Sequence, residues 1–151
     1  MRGAAIYGIT PNKILYRVSP VSILVDNYEY KKENEECEFK EMEDENGQLM
    51  CLKYIRFVEI SKSVKTDQII PNEVNPISDE ITIFYTYEKE LDSKNILKLD
   101  KVEIPSSDLP LKDRKIKVIM KFSNYINVTV IVEDSKVGNS KIIYYPTQKD
   151  D

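Results

Sequence analysis

Between residues 115 and 133 the chain alternates so regularly that only an extended backbone suits it. Ile116, Val118, Met120 and Phe122 fall on one side of such a segment, while Lys115, Lys117 and Lys121 fall on the other. Side chains two apart share a face of a β-strand, whereas a helix would scatter them around its circumference. Ile126, Val128, Val130 and Val132 repeat the pattern after a joint at Ser123, Asn124 and Tyr125, so the two runs predict a hairpin. A sheet with one apolar face must cover it with a second layer, and the hairpin therefore asks for a sandwich partner.

That partner is sought upstream. Runs rich in Val, Ile, Tyr and Phe at about 21–28, 54–60, 66–70, 80–87 and 96–104 are bounded by Pro20, Pro71, Pro76 and Pro105. A last run, 141–145, follows a turn signal over 134–139 that contains Gly138. The fold class that follows is all-β, an antiparallel β-sandwich of about eight strands over residues 16–146. Residues 1–15 form a lead-in whose helical signal is interrupted by Gly8 and Pro11, and residues 147–151 a charged tail. Residues 31–47 hold eight acids against three lysines, and their repulsion predicts an extended or mobile loop insertion. As a charge run, its plainest reading is a solvated connection.

Composition narrows the chemistry. No His is present among the 151 residues, so a Ser-His-Asp triad, a histidine base and imidazole metal ligation are all excluded. Four glycines, at 3, 8, 47 and 138, are too scattered to cradle a phosphate, and a non-enzyme is expected. Carboxylate pairs such as Glu43 with Asp44, or Glu133 with Asp134, sit in charged surroundings that suit solvation better than acid/base work. No apolar run approaches a membrane span, and MRGAAIYGIT lacks the continuous apolar core of a secretory signal. With a net charge of −4 and basic residues scattered singly, nucleic acid is a poor partner. Cys37 and Cys51 stand fourteen apart without a CxxC. A cytoplasmic location favours two reduced thiols over a single disulfide. Asn127-Val128-Thr129 satisfies the N-x-[ST] rule, but it lies in the middle of a predicted strand of a chain without a secretion signal and reads as a chance match.

The order of segments carries a resemblance. Ser19-Pro20-Val21-Ser22-Ile23 resembles the run that opens the β-subdomain of the substrate-binding domain in seventy-kilodalton heat-shock chaperones. Ala4-Ala5-Ile6-Tyr7-Gly8 is similar to the last helix of the domain that precedes it there. Glu80-Ile81-Thr82-Ile83 resembles a valine-threonine-isoleucine strand, residues 114–134 resemble the long final hairpin, and Lys141-Ile142-Ile143 the last strand. The acidic insertion, Leu15-Tyr16-Arg17 in place of a leucine-rich linker, and Val102-Glu103-Ile104-Pro105 look more like the divergent hundred-and-ten-kilodalton branch.

The resemblance implies a chaperone module that holds extended apolar polypeptide in a channel of the sandwich, with no cofactor of its own. ATP would be used by a separate domain, and residues 1–15 would be a remnant of that domain and its linker. Carried over residue by residue, Val25 and Asn27 would edge the channel, Tyr28 would arch over it, and Ile81, Ile83 and Ile116 would line the pocket. Alternation alone makes the three isoleucines ordinary core residues. The alternative implied by the divergent branch is an interaction module of a nucleotide exchange factor. Such a module packs on its own ATPase domain, or meets a conventional heat-shock chaperone, without gripping clients. A channel filled by Tyr28 and Ile116 would favour it.

Overall fold

The computed structural model describes residues 16–123 and 126–146, so the expected lead-in and charged tail lie outside the described residues. In chain order the strands are β1 (Tyr16–Val18), β2 (Ser22–Val25), β3 (Tyr28–Tyr30), β4 (Glu41–Glu43), β5 (Leu49–Leu52), β6 (Ile55–Val58) and β7 (Ser63–Lys65). They continue with β8 (Gln68–Val74), β9 (Glu80–Thr86), β10 (Leu97–Glu103), β11 (Ile116–Phe122), β12 (Asn127–Asp134) and β13 (Val137–Tyr144). Helical backbone among the described residues is limited to a single 3-10 turn, Leu111–Asp113.

The alternating hairpin forms as its pattern requires. In β11 and β12 Val118 lies opposite Val132 and Met120 opposite Val130, and all four side chains are fully buried. Around this pair grows an antiparallel sheet of order β13-β12-β11-β8, and a second sheet of order β10-β9-β2-β6 faces it. Ile23, Val25, Phe57, Ile81, Ile83 and Val102 from the second sheet join Val74, Ile116, Val118, Met120, Val130 and Ile143 from the first in one core. Removing such a side chain from water contributes roughly 1.5–3 kcal/mol each, which is what holds the layers together. The all-β sandwich is therefore the observed architecture.

At one side the sandwich is sewn shut by side chains rather than by a ladder. Lys141 Nζ lies 2.8 Å from Asp100 Oδ1, and Asn139 Nδ2 donates to the Glu103 carbonyl at 2.9 Å, which joins edge strand β13 to edge strand β10.

Three local expectations are corrected. The strand expected to stop at Pro71 runs on to Val74, because β8 is an edge strand and a residue without N–H need not break a ladder there. The expected turn over 134–139 is tighter: it bends at Ser135, whose φ is 58°, and Gly138 lies inside β13. A Cβ at Gly138 would come within 3.2 Å of Glu133 Cγ, so close approach is what this glycine permits.

The third correction is the largest. The acidic insertion is an ordered arm, a three-stranded antiparallel sheet of order β3-β5-β4. Two of its eight acids are paired in space: Lys31 meets Glu41 at 2.5 Å, and Lys53 meets Glu35 at 3.0 Å. Asp44 ties the tip, its Oδ1 accepting from the N–H groups of Asn46 and Gln48, while Gly47 supplies the positive φ of 79° that the turn needs. The Gln48 N–H, ahead of the Asn46 N–H and the Tyr30 hydroxyl, holds the Asp44 carboxyl below its usual range. Cys37 and Cys51 are joined in a disulfide, with Cα atoms 5.2 Å apart, which overturns the expectation of two reduced thiols. The reason is spatial, since fourteen residues of chain double back through β4 and bring the two positions together.

Candidate functional site

The arm joins the sandwich through Asp26 and Asn27, the polar pair that ends the apolar run of β2. Asp26 Oδ1 accepts from the Thr82 N–H at 3.1 Å, and Asn27 Oδ1 accepts from the Asn75 N–H at 2.7 Å. Backbone bonds flank them. The Tyr28 N–H donates to the Asn75 carbonyl at 2.9 Å and the Lys53 N–H to the Asn27 carbonyl at 2.7 Å. The result is a clamp that locks the start of the arm onto the ends of β8 and β9.

This clamp gathers most of the residues implied by the resemblance at one pole of the sandwich. Val25 lies opposite Ile83, Thr82 of the clamp sits between Ile81 and Ile83, and Ile116 pairs with Val74, the neighbour of Asn75. Val25, Ile81, Ile83 and Ile116 are each no more than 1% exposed and belong to the main core. Asn27 is buried as well, with its side-chain oxygen spent on Asn75. Tyr28 shares the clamp through its N–H, but its ring does not join the main core. It belongs to a separate small cluster with Met50 and Leu52, packed against Phe39, Met42 and Tyr54. No described residue of the six presents an open apolar surface in this conformation.

From that small cluster a ladder of rings descends to the sandwich. Phe39 meets Tyr54 edge-on with centroids 4.9 Å apart, and Tyr54 meets Phe84 likewise at 5.2 Å. Phe84 is on the outer face of its sheet, opposite Leu24, which is fully buried although it points away from the main core. The arm thus covers Leu24 and Phe84 on this outer face. The opposite outer face, on β8, β11, β12 and β13, carries exposed Ile69, Ile142 and Tyr144.

Electrostatics at the pole are unusual for a clamp. Asp26 is buried, and desolvation raises its carboxyl above the ordinary range despite the hydrogen bonds from Thr82 and Tyr28 that oppose the shift. Burial, followed by the Asp26 charge, pushes the Tyr28 hydroxyl well above its usual range. Burial likewise raises Tyr54, with Asp26 contributing. A buried, perturbed carboxylate marks many catalytic sites, but here both oxygens are occupied, Oδ1 by the Thr82 amide and Oδ2 by the Tyr28 hydroxyl at 3.1 Å. The arrangement holds backbone in place. Among the described residues no cluster of three or more His, Cys, Asp or Glu could hold a metal ion.

Sequence reasoning passed over Asp26, Asn75 and Thr82. Their signal was faint, two polar residues directly after three apolar ones, and nothing in it named the amides they would meet. Comparison with protein-family models, with characterised proteins and with solved structures finds no match to this chain. None of the described helical backbone is long and apolar enough to cross a membrane.

Proposed function

We propose that this chain is a protein-interaction module of the heat-shock chaperone type that works with its channel closed, packing on a neighbouring polypeptide domain through its outer surface. The neighbour implied by the resemblance is an ATPase domain of the same protein. One observation carries this choice over peptide gripping: Val25, Ile81, Ile83 and Ile116 fill the core, and Asn27 spends its oxygen on Asn75. A side chain already buried gains nothing more from burying a ligand.

Titration with a labelled leucine-rich heptapeptide tests the reading. The expected result is no saturable binding by the wild-type chain. Saturable binding that is lost in a folded Ile83→Ala variant would replace it with the gripping reading.

A further inference from the structure

We infer that this chain matures in an oxidising, secretory-type compartment and carries an N-linked glycan on Asn127. The inference is independent of the chaperone reading and rests on two separate features of the fold. The first is the Cys37–Cys51 disulfide, which engages the only two cysteines of the sequence. Disulfides form and persist where thiols are not continually reduced. Such a compartment is also where a sequon such as Asn127-Val128-Thr129 is used.

The second feature is where the acceptor lies. Asn127 is the first residue of β12, beside the bend of the final hairpin, rather than in mid-strand. Val128 is fully buried, so the pleat turns Asn127 and Thr129 to the opposite face, the outer one, and both are partly exposed. The register partners across β13 are Tyr144 for Asn127 and Ile142 for Thr129, respectively 61% and 55% exposed. Two large apolar side chains standing in water beside a sequon are the surface that a bulky, hydrated sugar covers. On the other broad face the arm covers Leu24 and Phe84; on this one the glycan is the cover.

The modification balances as a group transfer. Asn127 Nδ2 bonds to the anomeric carbon of an oligosaccharide carried on a lipid pyrophosphate. The bond from that carbon to the pyrophosphate oxygen breaks, the lipid pyrophosphate leaves, and Nδ2 gives up one proton without any change of oxidation state. The disulfide forms by exchange with an oxidised dithiol partner, which takes up the two electrons and two protons.

Protein isolated from its own cells tests both parts. Peptide-N-glycosidase should lower its apparent mass and convert residue 127 from Asn to Asp, read by peptide mass spectrometry. Thiol labelling after denaturation should find no free cysteine until a reductant is added. Thr129→Ala and Asn127→Gln should abolish the glycosidase shift while Thr129→Ser keeps it, which separates loss of the sequon from loss of folding. An unmodified Asn127 in protein whose disulfide is intact overturns the glycan. Two reactive thiols in protein labelled at the moment of lysis overturn the compartment.

Discussion

Asp26 shows how one buried side chain sets a pH dependence. Its carboxyl binds a proton more tightly folded than unfolded, because burial outweighs the hydrogen bonds it accepts. The stability that Asp26 contributes is therefore fully present below the ordinary carboxylate range and is lost as pH rises through the raised folded value. Asp26→Asn keeps an acceptor for the Thr82 N–H and has no charge to desolvate, so it should raise stability at neutral pH and flatten the acid-range profile measured by urea unfolding. Asp26→Ala should instead cost about 1–3 kcal/mol, since the Thr82 amide and the Tyr28 hydroxyl lose their acceptor. Ile83→Ala should cost about 2–5 kcal/mol as a core truncation, with no separate effect on ligand binding. Residues such as Ile83 were legible in the sequence because alternation marks an inward face. Alternation does not say whether that face meets another sheet or a ligand.

At the scale of elements, the final hairpin and the acidic arm stand at opposite ends of legibility. β11 and β12 announce themselves because each inward position is apolar and each outward lysine is free to stay in water. The arm hides. Read along the chain its eight acids repel, and only in space do Lys31 and Lys53 lie against Glu41 and Glu35. Such exposed pairs contribute little each, so the disulfide and the Tyr28, Met50 and Leu52 cluster carry most of the arm's order. A Cys37→Ser, Cys51→Ser double variant should lose about 3 kcal/mol, the usual effect of closing a loop of this length. Hydrogen exchange should show the loss as faster exchange across β3 to β5, with amides of β11 and β12 still protected.

Across the whole molecule, Arg114 links the two layers. Its Nε donates to Asp134 Oδ2 at 2.6 Å at the end of β12, and its Nη2 donates to the Pro105 carbonyl just past β10. With an Arg114 side chain only 4% exposed, Arg114→Leu should cost about 3–5 kcal/mol in chemical denaturation by leaving a partly buried carboxylate alone. The same whole-molecule view separates what a reader of the chain could know from what required the fold. Strand periodicity determined an all-β sandwich and its core face, because a period of two is a local property of neighbouring residues. Only the tertiary structure decided that the acidic segment is a stapled arm and that Asn27 is consumed by the clamp. It alone decided that the arm covers Leu24 and Phe84 on one broad face while Ile142 and Tyr144 stand exposed on the other. Those outcomes depend on which distant backbone groups and charges meet, and sequence separation carries no measure of that distance.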